Sequence, residues 1–254
     1  MSNIENFTEE KASIQEIEKA IKDHDVSALS SIIRKEMGTN GFIHITSKMA
    51  TDIFEEIGHQ LGETLTNTSI KVDKQNEKKA IEARAYRSKD RPLAYSAKGI
   101  NFHSDSPIQK TIGFYCVEQD KIDGSLLMLD MHPVKDHLSD DELSILKTIT
   151  VNWGSMSDGK EVINKAPLFD EQNNAIEIYY ASWHLQENIS PAQQKVLTRF
   201  QDFITHTREQ HLLKIRLQAG ETIFVNNRRM LHARETIADN SQRHIIRLGI
   251  GLAN

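Results

Sequence analysis

HLLKIRLQAGETIFVNNRRMLHARETIADNSQRHIIRLGIGL (residues 211–252) is the stretch on which the fold turns. Three runs in it are short, apolar and rich in β-branched residues: 211–218, 221–227 and 244–252. Each has the length of a strand rather than of a helix, and Ala219-Gly220 supplies a turn between the first two. In the last run, residues 243, 245 and 247 fall on one face, because side chains alternate along a strand. Arg243 and Arg247 therefore point the same way. If that face looks inward, the two guanidinium groups need anionic partners; if outward, they are solvated.

Upstream, TIGFYCVE (111–118) and SLLMLDM (125–131) read as strands on either side of a polar turn, as do ITVNW (149–153) and IEIYYASW (176–183). Helices intervene. Ser139 followed by Glu142 forms a capping-box pattern and predicts a helix to about Lys147. Ser190-Pro191 predicts a helix start running to about His206. The first third is helical in pattern, over about 8–23, over 25–37 with Gly38 and Gly41 as its end, and over 51–65. A short strand, GFIHI (41–45), interrupts it. Short strands with helices gathered at one end and in one crossover indicate an α+β chain. Its core would be a jelly roll, a double-stranded β-helix, with N-terminal and inserted helices. A doubly wound parallel sheet would need stricter alternation of helix and strand. The expected organisation is one domain over 1–254: a helical region to about 66 packing on a barrel core from about 84 to 254.

Composition narrows the function. The 254 residues carry 31 Lys+Arg against 36 Asp+Glu, a formal charge of -5, which argues against nucleic-acid binding by bulk charge. Cys116 is the lone cysteine, so neither an intrachain disulfide nor a cysteine-based zinc cluster can form. No apolar run approaches the roughly 20 residues of a membrane span. The amino-terminal MSNIENFTEE is acidic and polar, unlike a signal or transit peptide, so a cytoplasmic location is expected, and no membrane partner.

Of the 11 histidines, His24, His59, His137, His206 and His211 sit in polar or helix-end contexts with ordinary structural explanations. His103 differs. In GINFHSDSP, Asp105 follows two residues on, so imidazole and carboxylate converge if the segment is extended, a pairing suited to a divalent metal. The plainer alternative is a loop histidine hydrogen-bonded to its neighbour. His232, placed just after a strand by this reading, is the distal candidate.

The pattern of H-x-D, a distal His, an Arg beyond it, and the run GETIFVNNRRMLHARE (220–235) resembles the iron(II)/2-oxoglutarate-dependent dioxygenases. Within them it is most similar to the taurine dioxygenase and clavaminate synthase-like group. The resemblance implies that His103, Asp105 and His232 form a facial triad holding Fe(II). It also implies that Arg243 pairs with the far carboxylate of 2-oxoglutarate and that Arg247 matches a position that in some relatives contacts an acidic group of the substrate; the division of roles between the two arginines stays open, because the loop after His232 varies in length across such proteins. Many relatives carry a Thr at the start of the second barrel strand for the cosubstrate. Here Leu126 stands in its place, and Ser125 is the candidate substitute, although a one-residue shift reverses facing. The implied chemistry is oxidative decarboxylation of 2-oxoglutarate with dioxygen, giving succinate and carbon dioxide and oxidising an unactivated C–H bond, with hydroxylation as the default outcome and desaturation or ring closure as the alternatives. Asn101 and Ser104 flank the triad as candidate substrate contacts, and Tyr179, Tyr180 and Trp183 could line a pocket or fill the core. ARAYRSKDRPLAYSAK (83–98) is basic and, with Arg247, favours an anionic or zwitterionic small molecule such as an amino acid or derivative. Two other classes use the same residues: a zinc hydrolase built on His/Asp/His, and a non-catalytic jelly-roll binder. Neither the substrate nor the oligomeric state is legible.

Overall fold

The computed structural model describes residues 11–71, 97–157, 160–172 and 175–251. Three helices come first: α1 (Lys11–Lys22), α2 (Val26–Asn40) and α3 (Thr51–Leu61). Asp25 caps α2 by accepting a hydrogen bond from Ala28 N at 2.9 Å. Gly41 ends it in the left-handed region, φ 82°, where a side chain would be strained. Gly38, expected to end this helix, lies inside it. Helix α3 stops at Leu61 rather than 65, and the following residues extend into a strand that its polar sequence, TLTNTSIK, concealed.

The strands are β1 (Phe42–Ile45), β2 (Thr64–Lys71), β3 (Ile100–His103), β4 (Thr111–Glu118) and β5 (Leu126–Asp130). After the short helices α4 (Val134–His137) and α5 (Asp140–Leu146) come β6 (Thr150–Ser157), β7 (Lys160–Pro167), β8 (Phe169–Gln172) and β9 (Ala175–Ile178). A long helix, α6 (Pro191–His211), leads to β10 (Leu213–Ile215), β11 (Thr222–Asn226), β12 (Met230–Arg234) and β13 (His244–Ile250). Two antiparallel sheets frame the molecule, one ordered β1-β11-β4-β13-β2 and one ordered β10-β5-β12-β3, with β6-β7 and β8-β9 as separate hairpins. The chain is thus α+β with antiparallel sheets. The expected helical region to residue 66 needs correction, because β1 and β2 form the two edges of the five-stranded sheet. Residues 83–96 of the basic stretch lie outside the described residues, as do positions 8–10 of the first predicted helix.

Alternation along the strands sorts the core. In β11, Phe224 faces the amino-terminal helices, 5.5 Å from Phe54 ring to ring, while Ile223 and Val225 face the other way. Those two join Phe42, Cys116, Met128 and Ile245, drawn from both sheets. Beyond the four-stranded sheet, Leu129 and Leu231 pack with Val196, Leu197 and Phe200 of α6. Burial of each such side chain contributes about 1.5–3 kcal/mol. Both capping boxes form as predicted, at Ser139 with Glu142 and at Ser190 with Gln193. Helix α6 runs to His211, which shortens the strand expected from 211 to Leu213–Ile215. The strand expected over 176–183 ends at Ile178; Tyr179 and Tyr180 enter the core, and Ser182–His184 is a 3₁₀ turn. Among the described residues, no helix is long and apolar enough to cross a membrane.

Candidate active site

A cavity of about 110 Å³ lies between the two sheets. The four-stranded sheet brings His103 from β3 and His232 from β12, which stand opposite one another in register. His232 sits within β12, not after a strand as expected from sequence. Asp105 follows β3 in a segment pinned from the far side: its backbone N–H donates to Asn227 Oδ1 at 2.7 Å, and Asn227 Nδ2 donates to Gln109 O at 2.7 Å. The ligand atoms of His103, Asp105 and His232 all lie within 4.8 Å of one another. Asp105 Oδ1 is 4.0 Å from His103 Nε2, and Oδ2 is 3.4 Å from His232 Nε2.

The electrostatics suit a cation. His103 Nδ1 is 2.8 Å from the Asn101 carbonyl, so that nitrogen carries the proton and Nε2 keeps a free lone pair toward the other two side chains. Burial, reinforced by the neighbouring His232, pushes His103 down to about 3, so the ring is a neutral ligand at ordinary pH. Burial alone would raise Asp105, but the Arg247 guanidinium and His232 outweigh it and hold the carboxyl well below its usual range. Two imidazoles and one ionised carboxylate converging on a point could hold a divalent metal such as Fe(II).

Strand β13 supplies the arginines, and its inner face is the one carrying residues 243, 245 and 247: Arg243, Ile245 and Arg247 all line the cavity. Their environments differ. Arg247 donates from Nε to Asp105 Oδ2 at 3.2 Å, with Nη2 2.5 Å from the same oxygen in an ion pair, and from Nη2 to Gln109 Oε1 at 2.7 Å. Arg243 is only 9% exposed, its Nε has no hydrogen-bond partner among the described residues, and burial pushes it down to about 10. It lies beside Gly124, whose φ of 85° and missing side chain make room for the Arg243 Cδ.

Not every candidate is brought to the cavity. Ser125 Oγ donates to Asp123 Oδ1 at 2.6 Å, while Leu126 lines the cavity. Strand β5 pairs with β12 without a register shift, so no bulge turns Ser125 around. Ser104 is fully buried, with its hydroxyl accepting from Tyr180 N at 2.9 Å. Asn101 contributes its backbone carbonyl to His103 while the residue itself is exposed. Trp183 packs against His103, ring centroids 5.2 Å apart. Sequence reasoning passed over Asn227, Gln109 and Arg234. Arg234 was within reach, since it is two residues from His232 and so shares its face.

The profile of the family described as Taurine catabolism dioxygenase TauD, TfdA family matches residues 15–248. A search of curated protein sequences finds no match. Among solved structures, the chain is similar to an asparagine oxygenase in complex with Fe(II), 3-hydroxyasparagine and succinate. That match has TM-score 0.64 and 12% identity, covering 96% of this chain and 93% of that one. It is similar to the non-heme iron oxygenase OrfP in complex with Fe, succinate and (3S)-hydroxy-L-Arg, with TM-score 0.62, 11% identity and coverage of 95% and 92%. PvcB from Pseudomonas aeruginosa gives TM-score 0.60, 13% identity and coverage of 89% and 82%. At such identities these likenesses are of fold.

Proposed function

Since the chain belongs to the taurine catabolism dioxygenase TauD/TfdA family, it is an iron(II)- and 2-oxoglutarate-dependent oxygenase, and we propose that it hydroxylates an unactivated C–H bond of a small anionic or zwitterionic metabolite, an amino acid or a derivative. The observation that carries this reading is the convergence of His103, Asp105 and His232 at one end of a cavity whose wall also holds arginines. When bound, Fe(II) with 2-oxoglutarate and dioxygen supplies the oxidising power, and succinate and carbon dioxide are released.

The protein's own part is positional. His103, Asp105 and His232 would hold the metal. Arg243 receives the far carboxylate of 2-oxoglutarate in the apolar part of the cavity. Arg247 keeps Asp105 ionised and aimed, and presents positive charge to an acidic group of the substrate. The apolar wall of Ile70, Ile100, Phe114 and Leu126 excludes water from the reacting centre. Amino-acid products held by two of the fold neighbours support the substrate class. The pairing of β1 and β2 from the amino-terminal part with β11 and β13 supports one domain over 1–254 with a double-stranded β-helix core.

The test is anaerobic addition of Fe(II) and 2-oxoglutarate, which should give a weak visible charge-transfer band, lost in His103→Ala and weakened in Arg243→Ala. Under oxygen, succinate formation should rise with the right amino acid or derivative, and that compound should gain about 16 daltons, the mass of one inserted oxygen atom, as the C–H hydroxylation proposed here requires. Absence of the band with all combinations would overturn the assignment.

A further inference from the structure

Residues 104–110 join β3 to β4 and carry Asp105. At one end, Ser104 N donates to Tyr180 O at 2.7 Å and Ser104 Oγ accepts from Tyr180 N at 2.9 Å. At the other, Lys110 N donates to Ile250 O at 2.7 Å. The crest between them contains Pro107, which has no N–H to give, and Ile108, which is 48% exposed. Among the described residues, the hydrogen bond that ties this crest to another element runs from Arg228 Nη2 to Pro107 O, at 2.7 Å.

Arg228 sits in the turn between β11 and β12, next to Asn227. Its backbone is fixed on both sides: its N–H donates to Asn226 Oδ1 at 3.0 Å, and its carbonyl accepts from Ile178 N at 2.7 Å. Its guanidinium lies 4.5 Å from the centre of the Tyr179 ring and pairs through Nη1 with Glu177. Glu177, on β9, also accepts from Lys110 Nζ at 3.3 Å and from the Tyr179 hydroxyl at 2.8 Å. The Arg228 and Glu177 side chains are each 12% exposed. Burial lowers the Arg228 pKa, and Glu177, then Asp170, oppose it. A buried pair of this kind adds little net stability, because desolvation offsets the attraction. Its effect is directional. With Nη1 held by Glu177, the planar guanidinium turns Nη2 toward Pro107 O.

We infer, on the reading of Asp105 as a metal ligand, that Arg228 is a positioning residue for that carboxylate and that Glu177 is the counter-charge holding its guanidinium against the Pro107 carbonyl. Asn227 fixes the Asp105 backbone, and the next residue, Arg228, fixes the crest two residues further along. Held by both neighbours, the segment has little freedom to tilt. Without Arg228 the crest loses its tie, and Asp105 moves off the point it shares with His103 and His232. Ligand sets of this kind need their side chains held to within about 0.5 Å.

The experiment titrates Co(II), a divalent probe with weak visible bands that report its ligands, into the metal-free protein, with chemical denaturation recorded alongside so that no turnover is needed. Arg228→Met should weaken Co(II) binding by about 10- to 100-fold and alter the visible bands. Arg228→Lys keeps the charge beside Glu177 but lacks the fork that reaches Pro107 O as well, so it should fall between parent and Arg228→Met. Glu177→Gln should shift affinity and bands in the same direction. The control is the adjacent Arg229, which pairs with Asp130 at 2.5 Å and donates to Thr39 O at 2.8 Å, away from the Asp105 segment. Arg229→Met should lower stability and leave Co(II) affinity and bands at the parental values. The inference is overturned if Arg228→Met keeps the parental affinity and bands, or if Arg229→Met loses affinity to the same extent. Should Arg228→Met fail to fold, parental Co(II) binding in both Arg228→Lys and Glu177→Gln overturns it equally. A parent whose Co(II) affinity is unmoved by Asp105→Ala overturns the reading of the metal site itself, so the two failures are distinguishable.

Discussion

Arg247 Nη2 lies 2.5 Å from Asp105 Oδ2, so the carboxylate of the candidate metal triad is shared between the site and the last strand of the sheet opposite. Arg247 is itself anchored by Gln109 Oε1 at 2.7 Å and Thr66 Oγ1 at 3.3 Å. Asp105 is thereby aimed and kept ionised before any metal arrives. Partners of this kind commonly account for about 10- to 100-fold in metal affinity. Arg247→Met should weaken Fe(II) binding by that order in an anaerobic titration while leaving the fold intact by circular dichroism. Unchanged affinity would show that the pair is incidental.

Asn227 reaches Asp105 by a different route. It is fully buried, accepts from Asp105 N and donates to the carbonyls of Gln109 and Asp105. Asn227→Ala leaves a buried N–H and carbonyls unpaired, an expected loss of about 1–3 kcal/mol. Chemical denaturation should register that loss, together with weaker metal binding. A neutral result would mean that water replaces the amide without cost.

Gly124 is where space and backbone coincide. Its φ is 85°, and a Cβ there would stand 2.8 Å from Ile237 Cγ2 and 3.0 Å from Arg243 Cδ. Gly124→Ala should therefore cost about 1–2 kcal/mol through the left-handed backbone alone. It should also move Arg243, lowering 2-oxoglutarate affinity in a binding titration. Reduced stability with parental cosubstrate affinity would show that Arg243 keeps its place.

Asp123 ties the same turn together. Burial would raise its carboxyl, but hydrogen bonds from the Ser125 hydroxyl and Lys214 outweigh this and bring it to about 2, below the ordinary 3.8. A carboxylate depressed in the folded state stabilises fully above its unfolded value, and the contribution is lost as pH falls through the folded one. The melting temperature of the parent should therefore fall between about pH 4 and pH 2 more steeply than that of Asp123→Asn. The effect should be modest, because the side chain is 30% exposed. Identical acid limbs would remove Asp123 from the account.

Much of this molecule is written in local sequence. Both capping boxes, the strand at Thr111–Glu118 and the shared face of residues 243, 245 and 247 follow from spacings of a few residues. Apart from Arg234, what was missed had no local signal. Strand β2 buries only Ile70 and, Leu65 apart, otherwise offers polar side chains, so its identity comes from pairing with β13 at the edge of the sheet. Asn227 reads as a turn residue until the chain returns Asp105 to it.

The sequence by itself determined the kinds of ligand, two imidazoles and a carboxylate, and that Arg243 and Arg247 face the same way. The tertiary structure decided what each one meets. Four residues of strand separate the Cα atoms of the two arginines by roughly 13 Å, so each starts from a different depth of the cavity. The antiparallel register of β13 against β4 and β2 sets Arg247 against Asp105 and leaves Arg243 with Arg234 and Leu126. Alternation along a strand fixes which side a residue faces. Only pairing between distant segments fixes its depth and neighbours, because those depend on chain that the local sequence does not contain.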